Sequence, residues 1–224
     1  MTTFSVAVIS AGLSQPSSTR LLADRLARAT RGAVDARGDR VEFVDLELRE
    51  LAHEITNNLL TGFPGPALQS AIDAVTSADA VIAVTPVFSA SYSGLFKSFF
   101  DVLDPQALVG TPVLMAATGG SARHSLVLDF ALRPLFSYLK AAPVPTGVFA
   151  ATADFGADDA GRSLSGRVQQ AGRELAAMLT AGGGRDPLEK EFDLAPAPSR
   201  VAGRAVRESD PFDALVPFEE LLAR

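Results

Sequence analysis

Short strand-like segments alternate with helix-periodic segments along the first four fifths of this chain, and this alternation constrains its fold more than any other feature. The segments that predict strands are residues 4–10, 40–45, 78–85, 111–118 and 146–151. Most are continuous apolar runs rich in Val, Ile and Ala, which is typical of strands covered on both faces. Strands that alternate with helices at this spacing predict βαβ units, right-handed crossovers and a parallel sheet.

The intervening segments predict helices, with one ambiguous stretch at residues 46–63, which we interpret as helix followed by loop. The other predicted helices are residues 21–38, 67–77, a segment from Ser93, 123–140 and 161–181. Five strands favour the flavodoxin-like, doubly wound α/β order 2-1-3-4-5. In that order the first and third strands are neighbours, and a crevice opens beyond their carboxyl ends, so we expect a ligand there.

The last forty residues differ in character from the rest of the chain. Residues 1–184 predict one domain, whereas residues 185–224 contain a linker-like APAPSR stretch and a short helix interrupted by Pro217. The apolar stripe of that helix consists of Phe212, Leu215, Phe218 and Leu222. We expect a C-terminal helical tail that covers apolar surface on this subunit or on a partner.

Composition excludes several functional classes. The chain has 20 Lys and Arg against 26 Asp and Glu, a formal net charge of −6, so no basic face for nucleic acid is expected. It has no cysteine, which excludes disulfides, thiolate metal sites and cysteine nucleophiles. The first apolar run ends after about seven residues, too short for a signal peptide or a membrane span. We therefore expect a cytoplasmic protein without membrane association.

The first predicted loop, Ser10–Thr19, contains four serines and a threonine at the start of a helix. A helix N-terminus presents unpaired N–H groups and partial positive charge, and hydroxyls add further donors, so the loop suits a phosphate. Plain N-capping by Ser17 or Ser18 is the alternative. The loop lacks G-x-G-x-x-G and G-K-[ST], which favours a terminal monophosphate over a dinucleotide or a hydrolysed triphosphate.

Two further loops leave strands at the same predicted edge. In the loop Thr85–Gly94, Phe88 and Tyr92 are placed to border a planar ring or simply to pack, and Gly94 permits close backbone approach. The loop Thr118–His124 contains paired glycines whose N–H groups suit a ligand carbonyl, although an ordinary strand-to-helix turn is the alternative. Together the loops predict one ligand site.

The segments TPVFSASYSGLFK (85–97) and ATGGSARH (117–124) resemble the NAD(P)H-dependent FMN reductases of the flavodoxin-like superfamily. The resemblance extends over residues 4–180 and is strongest to reductases that supply reduced flavin to two-component monooxygenases. It implies an FMN-binding set, which we divide by the part of FMN contacted. The phosphate set is Ser10, Gly12, Ser14, Gln15, Ser17, Ser18 and Thr19. The ring set is Pro86, Val87, Phe88, Ser91, Ser93 and Gly94. The pyrimidine set is Thr118, Gly119, Gly120 and Ser121.

His124 completes this predicted set, either near the flavin edge or merely as a capping or packing residue. The sequence departs from the resembled reductases at two positions. Many of them have Arg where this chain has Ser14, and some have Tyr where it has Phe130. The first departure predicts weaker phosphate binding, and the second excludes any mechanism that relies on a tyrosine hydroxyl there.

The implied activity is hydride transfer from NADH or NADPH to FMN, followed by delivery of reduced FMN to a partner monooxygenase. The cofactors carry this chemistry, so no dedicated catalytic side chain and no metal are expected. A tightly FMN-bound quinone or azo reductase, a flavodoxin-like electron carrier and a regulatory subunit without flavin remain alternatives. Nothing in the sequence distinguishes NADH from NADPH or names the partner.

The resemblance also implies a homodimer or homotetramer formed through the helix that follows the second loop. In this chain that helix is apolar on more than one face, which is more than one core contact requires. The residues concerned are Leu95, Phe96, Phe99, Phe100 and Leu103. Lys97 and Asp101 lie four residues apart, so they pair within the helix or across a subunit boundary, and an ordinary solvated pair is the alternative.

Overall fold

Five parallel strands form the centre of the computed structural model, which describes residues 1–156 and 159–182. They are β1 (Thr3–Ser10), β2 (Arg40–Glu47), β3 (Ala80–Phe88), β5 (Pro112–Gly119) and β7 (Val148–Ala151). Their spatial order is β2-β1-β3-β5-β7, with two-residue strands β4 (Ser91–Tyr92) beside β3 and β6 (Ala142–Pro143) beside the start of β5. The predicted flavodoxin-like order 2-1-3-4-5 is therefore confirmed, because the fifth main strand is β7.

Helices cover both faces of the sheet. They are α1 (Ser18–Asp35), α2 (Ala52–Thr61), α3 (Pro66–Ser77), α4 (Gly94–Asp101), α5 (Arg133–Tyr138) and α6 (Asp159–Thr180). Successive residues of β1 point to opposite sides: Val6 and Val8 pack under α1 and α6, whereas Ala7 and Ile9 pack in the core with α3, α4 and α5. Because β1, β3, β5 and β7 are buried on both faces, their sequences are largely apolar rather than alternating, whereas only Val41 is buried in the edge strand β2.

Glycine and proline set the helix boundaries around the ambiguous stretch. Strand β2 extends to Glu47, α2 begins at Ala52, and α2 ends where Gly62 adopts a left-handed conformation with φ 79°. Pro66 then occupies the first turn of α3, where its missing N–H has no intrahelical acceptor. The interpretation of residues 46–63 as helix followed by loop is thus confirmed for α2.

The prediction of one continuous helix over residues 123–140 is wrong. The chain instead forms a 3₁₀ turn at Ala122–His124, a π-helical turn at Leu128–Leu132 and the short α5 from Arg133. Pro134 accounts for the interruption, because in an α-helix its ring would clash with the carbonyl four residues earlier and it has no N–H to donate. The wider turn, in which the Arg133 N–H donates to the Leu128 carbonyl, accommodates this proline.

The apolar side chains of α4 are used within this chain. Phe96, Phe99 and Phe100 are buried, and Phe100 packs against Phe136 with ring centroids 5.2 Å apart. Leu103 is buried and Leu95 packs against the same core, while Lys97 and Asp101 pair within α4. The three phenylalanines of α4 are therefore buried within this chain, and the predicted subunit contact through this helix stays a prediction.

The described residues contain no helix long and apolar enough to cross a membrane. The predicted tail at 185–224 and its apolar stripe lie outside the described residues. The boundary drawn at residue 184 accordingly remains a prediction.

The contact between α1 and α6 generates a stability prediction. A Cβ on Gly172 would lie 2.8 Å from the carbonyl carbon of Ala29 and 2.9 Å from the Thr30 nitrogen, whereas a Cβ on the exposed Gly166 would meet nothing within 4 Å. Gly172→Ala should lower the free energy of unfolding by about 1–3 kcal/mol, because backbone atoms must move. Gly166→Ala on the same helix should raise it by about 0.5–1 kcal/mol. Urea denaturation measures both, and equal changes in the two variants would contradict the close helix contact.

Candidate functional site

Three loops meet at the edge of the sheet formed by the carboxyl ends of β1, β3 and β5. The Ala11 N–H just after β1 donates to the Val84 carbonyl in β3 (3.0 Å), and Pro86 of β3 lies beside Thr118 of β5. The first loop (10–19), second loop (85–94) and third loop (118–124) therefore converge, as the sequence predicted. We call this region the carboxyl-edge site.

A buried hydrogen bond joins the first loop to the third. The side-chain oxygens of Thr19 and Thr118 are 2.9 Å apart, although the residues are 99 positions apart in the chain. Only 2% of Thr19 and 4% of Thr118 is exposed, so water cannot replace the bond. Because an unpaired buried hydroxyl is costly, this pair fixes the start of α1 against the end of β5.

Ser17 is the N-cap of α1, and its Oγ accepts a hydrogen bond from the Arg20 N–H (3.2 Å). N-capping is thus confirmed for Ser17, while its hydroxyl proton stays available to donate to a ligand. The loop closes tightly around Gly12, since a Cβ there would overlap Ser17 Oγ and lie 3.1 Å from the Cβ of Thr19. Gly12 is therefore required for the loop to bring the Ser17 hydroxyl to this position.

Two buried hydroxyls hold the second loop. Thr85 Oγ1 accepts from the Ser93 N–H (3.0 Å), and Ser93 Oγ accepts from the Phe96 N–H (3.2 Å), which caps α4. Ser93, predicted in the ring set, is only 1% exposed, so its side chain supports the loop from below. Thr85 begins the second loop but is absent from the predicted ring set, because its role depends on a hydrogen bond to a residue eight positions away.

The tip of the second loop is a strained hairpin. Val87 pairs with Tyr92 and Phe88 with Ser91, and the two turn residues Ser89 and Ala90 both have positive φ, 48° and 66°. Neither is glycine, so each adopts a conformation that costs about 1–2 kcal/mol.

The two aromatic residues of the second loop have different environments. Tyr92 packs against Phe96 with ring centroids 5.9 Å apart, which confirms the packing alternative for this residue. Phe88 is 47% exposed at the same hairpin. Phe88 is therefore the aromatic residue of this loop that remains accessible to a planar ligand.

The paired glycines of the third loop have different surroundings. A Cβ on Gly119 would lie 3.0 Å from Cζ of Phe149, so packing explains this glycine. A Cβ on Gly120 would meet nothing within 4 Å, and the residue is exposed. His124 is also exposed, in the short 3₁₀ turn, and the structure leaves its predicted role open.

Arg20 follows the first loop directly in sequence, and its guanidinium already forms ion pairs. The guanidinium contacts Asp24 (2.8 Å), Asp45 (3.0 Å) and Glu47 (3.4 Å). Burial lowers the pKa of Arg20, but the charges and hydrogen bonds of Asp24 and Asp45 outweigh this and raise it above its ordinary value. Residues 10–19 contain no Lys, Arg or His, so the loop itself offers only neutral donors.

The carboxyl-edge site fits a flavin mononucleotide. A phosphate at the N-terminus of the 18-residue α1 would meet main-chain N–H groups and the Ser17 hydroxyl, with the exposed hydroxyls of Ser14 and Ser18 close by in sequence. At the same edge, Gly120 is exposed with nothing within 4 Å of an added Cβ, and Phe88 is exposed, so both residues are accessible to a ligand. Among the described residues, no group of three His, Asp or Glu side chains is arranged to hold a metal ion.

Comparison with known proteins gives consistent matches. Residues 4–156 match the family model described as NADPH-dependent FMN reductase. An FMN reductase (NADPH) of Pseudomonas aeruginosa is 39% identical over 190 residues, which cover 84% of this chain and 97% of that protein. The NADH-dependent FMN reductase SfnF of Pseudomonas fluorescens is 41% identical over 67% of this chain and 78% of its own length. The crystal structure of an oxidoreductase from Corynebacterium diphtheriae is 49% identical, with a TM-score of 0.78 over 80% of this chain and 98% of that one.

The threonine pair of the carboxyl-edge site predicts a non-additive mutant cycle. Thr118→Val should lower the free energy of unfolding by about 1–3 kcal/mol, because it leaves the Thr19 hydroxyl buried without a partner. The double variant Thr19→Val/Thr118→Val should be more stable than the sum of the single changes, since it removes both hydroxyls. Urea denaturation of the four proteins measures the coupling, and additive effects would contradict a direct hydrogen bond.

Proposed function

Because the chain belongs to the NADPH-dependent FMN reductase family, we propose that it uses FMN as an exchangeable substrate and supplies reduced FMN to a separate flavin-dependent monooxygenase. The enzyme is an NAD(P)H:FMN oxidoreductase, which moves a hydride from NADH or NADPH to FMN. The proposal concerns the fate of the reduced flavin. Its sequence support is the resemblance to reductases of two-component monooxygenase systems.

The observation that carries this proposal is the exposed, neutral phosphate loop. Ser14, Gln15 and Ser18 are exposed, and the neighbouring Arg20 is held by three carboxylates. A phosphate bound by hydroxyls and main-chain N–H groups without a free cation leaves more readily than one clamped by arginine. Ready exchange is what a reductase needs when its product is free reduced FMN.

We assign the predicted FMN-binding set to three tasks at the carboxyl-edge site. Bound FMN supplies the hydride-accepting ring. The first loop would hold the phosphate through the hydroxyls of Ser17 and Ser18 and the N–H groups of Ser14, Gln15 and Thr19. The hairpin presents Phe88 and the main chain of Pro86 and Val87 to the ring, while Gly119, Gly120 and Ser121 lie at its pyrimidine end. Buried hydrogen bonds hold these loops in position, and they are formed by Thr85 and Ser93 and by the Thr19–Thr118 pair.

The activity assay that tests this proposal follows NADH and NADPH oxidation by the purified protein with added FMN, FAD or riboflavin. We expect oxidation that depends on added FMN, and a protein that loses FMN on gel filtration because its affinity is only micromolar. FMN that survives purification, together with ping-pong reduction of a quinone, would contradict the exchangeable role. Absence of oxidation with every flavin would contradict the reductase activity itself.

The phosphate loop is tested by a matched pair of substitutions at Ser17. Aspartate and asparagine have the same shape and both cap helices, but only aspartate places a negative charge beside the phosphate. Ser17→Asp should weaken FMN binding by about tenfold relative to Ser17→Asn, while both variants should bind riboflavin equally. Flavin fluorescence titration measures the two affinities. Equal FMN affinity in the two variants would contradict the assigned loop.

We further propose that the protein forms homo-oligomers through an apolar surface near the π-helical turn, rather than through α4. Leu126, Phe130 and Tyr138 are 62%, 77% and 70% exposed, which is unusual for large apolar side chains close together in sequence. Light scattering should report a dimer or tetramer for the native protein, and Phe130→Glu should shift it toward monomer. A native monomer, or no shift with Phe130→Glu, would refute this surface.

A further inference from the structure

Arg20 is placed where a phosphate-binding arginine would be useful, yet its side chain is directed elsewhere. Its N–H donates to the N-cap Ser17, so it belongs to the first turn of α1. Its guanidinium reaches Asp24 one turn further along α1, and Asp45 and Glu47 at the end of β2. The contacts to β2 are the longer ones, 3.0 Å and 3.4 Å, against 2.8 Å to Asp24.

The charge balance of this cluster is negative. One guanidinium faces three carboxylates, so the four side chains together carry two negative charges. Their exposed fractions are 27% for Arg20 and 35–49% for the three acids, which leaves part of the field unscreened by water. A phosphate at the N-terminus of α1 is attracted by the helix dipole but repelled by this excess charge.

Residues 10–19 provide no cation to offset that repulsion. The carboxylates of β2 contact the guanidinium on the β2 side of α1, and with Asp24 they leave a net negative charge around Arg20. Both effects would weaken binding of a phosphate at the N-terminus of α1.

We propose that Asp45 and Glu47 are affinity-setting residues of the FMN site, which keep Arg20 away from the phosphate and so favour release of the flavin. The inference rests on the proposed function, because it concerns phosphate binding at the carboxyl-edge site. It explains why an arginine in the first turn of α1 does not replace the one missing at Ser14.

A purely structural role for the same contacts makes the opposite prediction. If Asp45 and Glu47 only fasten α1 to β2, then removing their charges loosens the first loop and weakens FMN binding. Partly exposed ion pairs contribute little to stability, so the fold itself should survive either change. The direction of the affinity change therefore separates the two roles.

The test is flavin fluorescence titration of Asp45→Asn/Glu47→Gln with FMN and with riboflavin, at low and at high salt. The matched control is Glu42→Gln/Asp73→Asn, which removes the same charge from exposed positions farther down β2 and on α3. We expect the dissociation constant for FMN to fall about fivefold at low salt, with a smaller gain at high salt. The affinity of the double variant for riboflavin should stay within about twofold of that of the native protein. The same holds for the affinity of the control variant for FMN.

Further variants separate the contributions. Adding Arg20→Gln to the double variant should remove most of the gain, because the guanidinium released from β2, which then contacts only Asp24, would be absent. Glu47→Gln alone, which breaks only the longest contact, should give a smaller shift in the same direction and serves if the double variant does not fold. Unchanged or weaker FMN binding, or an equal gain for riboflavin, would overturn the proposal. Native protein that binds neither flavin would overturn the proposed function, and this inference with it.

Discussion

The buried hydrogen bond between Thr19 and Thr118 is the constraint on which the arrangement of the site depends. Parallel pairing of β1, β3 and β5 brings three loops to one edge of the sheet, but it does not fix their heights or angles. The threonine pair holds the first turn of α1 against the end of β5. Gly12 then allows Ser17 to cap the helix within this framework. The phosphate loop is thus positioned by packing and hydroxyl pairing, without any charged group of its own.

The absence of charged side chains from the first loop bears on the proposed release of reduced FMN. A reductase that releases its flavin needs a site that orders the ring long enough for hydride transfer and then lets the nucleotide go. In the proposed site, hydroxyls and main-chain N–H groups would supply the order, while the carboxylates that hold Arg20 would limit the strength of the phosphate contact. The hairpin at Ser89 and Ala90 holds Phe88 at the exposed rim at a cost in backbone strain.

The sequence predicted the sheet well, because four of its five main strands are short, largely apolar runs whose length and flanking turn residues distinguish them from helices. It predicted the loops that form the site for the same reason, since they follow directly from the strand ends. It failed at residues 123–140, where periodicity suggested one helix and Pro134 imposes a wider turn. It also missed Thr85 and the Arg20 cluster, because their roles depend on partners that only the folded chain brings near. Phe96 and Phe100 of α4 pack against Phe136, a contact that periodicity does not reveal.

The central claim is that α1 and the three loops of the carboxyl-edge site hold the flavin by its phosphate and leave the ring face open. A crystal structure of the protein with FMN tests this most directly. The account predicts the phosphate at the N-terminus of α1, within hydrogen-bond distance of Ser17 Oγ, and the ring between the hairpin of Phe88 and the exposed Gly120. An FMN phosphate bound away from the first loop would contradict it.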